Sequence, residues 1–170
     1  NPETQEAFLF ELASLPLPDA LPLYKKVLAK QSVTVQTAVL DRMLAGEGLE
    51  NADFIGKLVR SKDAGVALKA AAVCGFRGKK DGLKLLKEKS ATGTRDEKLL
   101  AFKALIPIVS DDMKDAATAV LKDESTDADL LRAAYQIHVA LKNRKLQKFV
   151  EMRLMSTNLS QRAAAVGVLG

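Results

Sequence analysis

The sequence predicts an all-α fold: a right-handed α-solenoid of about four to five helix pairs, with one extra helix at the N-terminus. Three observations predict it. The 170 residues are 48% apolar and 28% charged, ordinary values for a water-soluble domain, yet only 5% aromatic and without Trp. A core of Ala and Leu suits closely packed helices and suits sandwiches or barrels poorly, because those draw on β-branched and aromatic residues. Apolar residues recur at helical spacing behind residues that cap helices, and the pattern returns about every thirty residues, a period that signals stacked supersecondary units.

Taken in order, Pro2 stands at a first helical position, acids follow it, and Phe8, Leu9, Leu12 and Leu15 form a helical stripe over 2–15. Residues 16–22 (PLPDALP) break that helix, and Asp19 caps a new one running to about Lys30. A further helix spans about Ser32 to Ala45 and stops at Gly46-Glu47-Gly48. Asn51 caps ADFIGKLVRS, Asp63 caps the alanine-rich stretch to Gly78, and Asp81 caps GLKLLKEKS. Thr94-Arg95-Asp96-Glu97 reads as a capping box, in which hydroxyl and carboxylate each satisfy an orphan backbone N–H. It launches KLLAFKALIPIVS, where Pro107 removes a donor and should kink or shorten the helix. Asp111 or Asp112 starts MKDAATAVLKDE, Thr126 or Asp127 starts ADLLRAAYQIHVALKN, a helix covers about 144–155, and Asn158 caps the last. The helix pairs are 19–48, 49–78, 79–110, 111–142 and 143–170, together one repeat domain.

The second helices share a frame of acid or amide, two residues, apolar, three residues, Ala: Asp63-Val66-Ala70, Glu97-Leu100-Ala104, Asp127-Leu130-Ala134 and, more weakly, Asn158-Gln161-Ala165. With Ala38 in the first pair, the alanines lie 32, 34, 30 and 31 residues apart. Small residues let helices of adjacent units approach to about 8–10 Å.

This frame resembles the HEAT repeat, in particular its short bacterial, lyase-associated form. There the second helix opens D-x-x-V-R-x-x-A-A and ends near L-G. Asp63 to Val66 with Ala70-Ala71 matches, as do Arg162 with Ala165-Val166 and the closing Leu169-Gly170. The family Arg after the apolar position is Ala67, Ala101 and Leu131 here, so the Asp–Arg ladder between repeats is not expected in its usual form. The resemblance covers about residues 19–170 and implies a scaffold architecture, not a chemistry.

Catalytic, cofactor and metal sites are not expected. Cys74 and His138 are single representatives of their types, and each lies four residues after an anchor alanine, in the same slot two units apart. At about 10 Å per stacked helix they would stand roughly 20 Å apart, too far for a nucleophile and its base. Zinc needs clustered ligands. Most of the carboxylates, among them Asp19, Asp63, Asp81, Glu97, Asp111 and Asp127, fall at helix starts, where caps and the helix dipole explain them.

A net charge of +5 directs attention to the cations. Arg77, Lys79 and Lys80 follow one second helix, and Lys142, Arg144 and Lys145 follow another, with the acidic Ser110-Asp111-Asp112 turn between them in sequence. Lys69, Lys98, Lys103, Arg132, Gln136 and Arg162 are the polar candidates for a concave face. Lys80, Lys84 and Lys87 read as the wet face of an outer helix. The function expected is a non-enzymatic scaffold that binds another protein through a concave groove or its loop edges. Nucleic-acid binding in a glycosylase-like groove is the alternative, weakened by two Tyr and no Trp. A non-catalytic repeat region of a multidomain enzyme is a third reading. No run of 18 apolar residues points to membrane insertion. A single Cys excludes an intrachain disulfide and leaves the compartment open, the cytoplasm preferred. The chain reads as a piece excised from a longer one.

Overall fold

The computed structural model describes residues 32–45, 53–123 and 125–167, with the isolated helical positions Thr4, Ala7, Pro22 and Lys25. The expected helices over 2–15 and 19–30, the Gly46–Gly48 stop, the Asn51 cap and the closing Leu169-Gly170 lie outside those residues apart from these four positions. Among the described residues every regular element is helical. The chain forms two compact units, Asn1–Gly82 and Leu83–Gly170.

In the first unit, α1 (Val33–Leu44) and a 3₁₀ helix (Asp53–Arg60) both pack on α2 (Ala64–Phe76). The expected α-helix over ADFIGKLVRS is thus a 3₁₀ helix. Its three residues per turn set Ile55 and Leu58 one above the other, and both join the cluster formed by Val39, Leu40, Met43, Val66, Ala70, Val73 and Cys74. Burial of each large aliphatic there contributes about 1.5–3 kcal/mol. Asp63 caps α2 by accepting from the Val66 N–H at 2.9 Å. Apart from Lys69, every residue from Val66 to Gly75 is buried, as befits a helix apolar on all sides. Its end is a Schellman turn: Lys79 N–H donates to Cys74 O, Gly78 N–H to Gly75 O, and Gly78 has φ +71°. Gly82, at φ +78°, is required twice over, because a Cβ there would lie 2.4 Å from that of Ala71.

The second unit contains α3 (Leu83–Thr92), α4 (Arg95–Leu105), α5 (Lys114–Lys122), α6 (Ala128–Ala140), α7 (Leu146–Leu154) and α8 (Leu159–Val166). They pair as α3 with α4, α5 with α6 and α7 with α8, while α4 packs on α6 and α6 on α8. Helices α4, α6 and α8 all carry side-chain caps, namely the Thr94–Glu97 box, Asp127 and Asn158. Helices α3 and α5 do not follow suit. Helix α3 begins at Leu83, so its cap position falls on Gly82 and the expected Asp81 cap is not formed. Helix α5 begins after a 3₁₀ turn, Asp111–Met113, with Met113 at the cap position and no side-chain cap bond. Asp112 is instead bonded to Ser110 Oγ and Lys87 Nζ. Pro107 ends α4, and the chain continues as a 3₁₀ turn over Ile106–Ile108.

The caps shift the frame expected from the sequence. In α4 the cap is Thr94, and Glu97 is the third helical residue, so the anchor alanine is Ala101 rather than Ala104. Seven residues after the caps Asp63, Thr94, Asp127 and Asn158 stand Ala70, Ala101, Ala134 and Ala165, all fully buried. One residue later come Ala71, Phe102 and Tyr135, equally buried, and then Val166, which is 57% exposed.

Candidate interaction surface

The second unit has a groove of about 440 Å³ along α6, lined by Ile106, Arg132, Gln136, Val139, Ala140 and Gly167. Its floor is apolar, and Val139 is 51% exposed. Arg132, Gln136, Val139 and Ala140 lie at i, i+4, i+7 and i+8 on α6, the stripe opposite to the one that packs inward through Leu130, Leu131, Ala134 and Ile137. Lys103 is exposed on α4, one turn before Ile106. The side chain of Arg132 donates from Nη1 to Asp129 Oδ1 at 2.9 Å, and Asp129 Oδ2 lies 3.7 Å from Arg95 Nη2.

The structure brings Arg132 and Gln136 together in this groove and sends the other sequence candidates elsewhere. Lys69 pairs with Asp41 of α1 at 2.6 Å. Lys98 lines a smaller hollow with Ser90, Ala116 and Thr126. The guanidinium of Arg162 turns back on its own helix start, donating to Ser156 O and Thr157 O. Arg77 is half-buried, with Nη1 buried and unbonded among the described residues; Lys79 is half-buried and Lys80 exposed. Lys142, Arg144 and Lys145 are exposed in the turn between α6 and α7. That turn is a second Schellman motif, with Asn143 N–H on His138 O, Lys142 N–H on Val139 O and Lys142 itself at φ +51°. The first unit has its own cleft of about 720 Å³, lined by Gly56, Lys57, Val59, Arg60, Asp81 and Gly82.

One Arg–Asp pair joins α4 to α6. Arg95, the first residue of α4, donates from Nε and Nη2 to the carboxylate of Asp127, the cap of α6, at 3.0 and 3.1 Å. This holds the Asp127 carboxyl below the usual carboxylate range and raises the guanidinium's affinity for its proton. Arg95 follows the cap Thr94 directly, so the frame aligned in the sequence does not single it out.

Cys74 and His138 are each buried within their own unit. The Cys74 thiol is pushed up to about 11 by burial, with Asp81 adding to the effect and Arg77 opposing it. His138 accepts at Nδ1 from the Asn143 amide at 2.6 Å, and Nε2 faces Thr118 Oγ1 at 3.4 Å. Asn143 Oδ1 accepts from Lys145 N–H, which fixes the amide's orientation and so places the ring proton on Nε2. Burial and then the charge of Lys114 depress the imidazole's pKa. Arg153 escaped sequence reasoning altogether: it is 2% exposed and bonds Leu121 O, Asp123 O and Gln161 Oε1.

Among the described residues no cluster of three or more His, Cys, Asp or Glu is placed to hold a metal ion, and no helix is long and apolar enough to cross a membrane. Set against known protein families, curated proteins and solved structures, the chain matches none.

Proposed function

We propose that the chain is a HEAT-like α-solenoid, right-handed and built of about four to five helix pairs, and that it serves as a non-enzymatic scaffold for another protein. The observation that carries this reading is the exposed stripe Arg132, Gln136, Val139, Ala140 on α6, which opens a part-apolar groove beside α4 and α8. Inner helices that alternate with outer ones, each capped and each with a buried alanine at the same distance from its cap, support the repeat architecture. Replacing Gln136 with a photo-crosslinking residue tests the function. Adducts to a protein from position 136, and none from Lys84 on α3, are expected in a cell extract. Equal adducts from both positions would overturn the reading.

The turn Lys142, Arg144, Lys145 favours a second reading, binding of nucleic acid. If it held, affinity for a DNA duplex would fall steeply with added salt. Absence of duplex binding at low salt eliminates it.

A further inference from the structure

Resting on the nucleic-acid reading, we infer that the turn from α6 into α7 grips the phosphate backbone of a duplex through Arg144, Lys145 and Lys148, whatever the base sequence. Between Asp129 and Glu151 the chain carries five cations and no carboxylate. Four of them, Lys142, Arg144, Lys145 and Lys148, are exposed on this turn, and among the described residues none is in an ion pair. Asp111 and Asp115, at the start of the adjoining α5, are exposed and bridge to none of the four. Lys145 and Lys148 stand three residues apart and Arg144 and Lys148 four apart, across a turn closed by Leu146 N–H on Asn143 O. The three therefore share one face.

Stability does not account for cations at this place. The start of a helix is its positive pole, where acids are favoured and cations repelled. Helices α4, α5 and α6 obey this, with Asp96 and Glu97, Asp115 and Asp129 in their first turns. Helix α7 has no acid there; Arg144 and Lys145 precede it, and Lys148 is its third residue. An anion laid across the three side chains relieves their mutual repulsion. The backbone beneath them is already fixed, because the Asn143 side chain joins His138 Nδ1 to the Lys145 N–H. Little ordering is left to cost affinity.

The surroundings select the anion. The exposed side chains from Lys142 to Glu151 are all polar. The turn thus lacks the aromatic anchors of a protein interface and the apolar face of a membrane-binding helix. A phosphate backbone needs cations alone. Among the described residues no aromatic is an exposed large hydrophobic, so unpaired bases have nothing to stack on, and a duplex is favoured over a single strand. Gln147, the one exposed amide of the patch, donates to Glu151, which leaves cations for phosphates and no free amide for base edges.

The test reads the fluorescence anisotropy of labelled duplexes mixed with the whole chain. From about 50 to 200 mM salt, three phosphate contacts predict a loss of affinity of about fortyfold. Two duplexes of unrelated sequence should bind within about twofold of each other. DNA and RNA duplexes are both run; binding of either supports the inference, and the tighter one names the source of the phosphates. Arg144→Gln, Lys145→Gln and Lys148→Gln combined should weaken binding by about tenfold or more. The same variant should melt at a higher urea concentration, because it takes cations away from a positive pole. Lys84→Gln, on α3, should bind as the unaltered chain does. A lower urea midpoint for the triple variant would make its cations structural and overturn the inference. So would a marked preference between the two sequences, tighter binding of a single strand, or equal binding of polyglutamate or phosphatidylserine vesicles. Duplex binding that the triple variant retains overturns the inference alone, whereas no duplex binding at low salt overturns the nucleic-acid reading with it.

Discussion

Arg153, on α7, gives two hydrogen bonds to the backbone carbonyl of Leu121, 32 residues earlier in α5, from Nη2 at 2.7 Å and Nε at 3.1 Å. Nη2 also reaches Asp123 O at 2.8 Å and Nη1 reaches Gln161 Oε1 at 2.8 Å. The last carbonyls of a helix lack partners within it, and a cation at that end also meets the negative pole of the dipole. Arg153 therefore caps α5 from the following helix pair and ties α5, α7 and α8 together.

Truncation of Arg153 to Ala should cost about 3 kcal/mol, since it strands several buried acceptors at once. A urea melt followed by circular dichroism reads this. Arg153→Lys should recover less than half of the loss, because an ammonium cannot reproduce the planar fork that spans Leu121 O and Gln161 Oε1. Full rescue by Lys would mean that charge at the helix end matters and the fork does not.

Stability of the second unit should fall as pH drops from 7 to 5, and His138 should be the cause. In the unfolded chain the imidazole titrates near its ordinary value of 6.5. In the fold, burial and the Lys114 ammonium lower that value, and Asn143 needs Nδ1 unprotonated. The unfolded chain thus takes up the proton first, so stability is complete above about 6.5 and is lost progressively below it. The groups facing the ring are Asn143, Thr118, Lys114 and Phe149, whose ring centroid is 5.5 Å away. Glu97, Asp112, Asp123 and Asp127 have carboxyl pKa values depressed by hydrogen bonds, so their contributions vanish only below about pH 4, outside this window. His138→Gln should be less stable at pH 7 yet lose less between pH 7 and 5; parallel slopes in the two proteins would assign the effect to another group.

Local chemistry was legible in the sequence and long-range chemistry was not. The caps Asp63, Thr94 and Asn158 are read correctly because each acts within three residues of itself, and of the two candidates Thr126 and Asp127 the structure selects Asp127. The frame slips in α4, where the acid of the capping box stands three residues inside the helix and draws the alignment to Ala104, and in α1, where the residue seven after Ser32 is the buried Val39 and the expected anchor Ala38 is half-buried. Asp81 reads as a cap on composition, but the positive φ of Gly82 makes the turn there a matter of backbone space. Arg153 resembles any other cation of a polar helix, since its acceptors are backbone carbonyls that leave no trace in residue identity. For the groove, Arg132 and Gln136 follow from helical periodicity, whereas Ile106 and Gly167 enter it only through the packing of α4 and α8 on α6.

Cys74 should be inert in the folded chain. Its thiol is buried in the first unit's core, and its pKa near 11 leaves a negligible thiolate fraction at neutral pH. Alkylation by iodoacetamide, followed by mass spectrometry, should proceed only at the rate at which the unit opens. Addition of urea should accelerate it sharply. Prompt labelling in buffer would show that α2 separates readily from α1 and the 3₁₀ helix.

Lys142→Gly should stabilise the second unit. Lys142 sits at φ +51° in a Schellman turn whose counterpart after α2 is Gly78 at φ +71°. A left-handed conformation costs an L-residue with a Cβ about 1–2 kcal/mol, and glycine is free of that strain. Part of the gain is offset by the larger conformational freedom of glycine in the unfolded chain, so a net increase of about 1 kcal/mol is expected. Lys142 is exposed and makes its contribution to the turn through its backbone N–H to Val139 O, which glycine keeps. The same variant also removes one cation of the Lys142, Arg144, Lys145 turn. A higher urea midpoint with unchanged duplex affinity would mark Lys142 as a backbone position; a drop in duplex affinity would return it to the nucleic-acid reading.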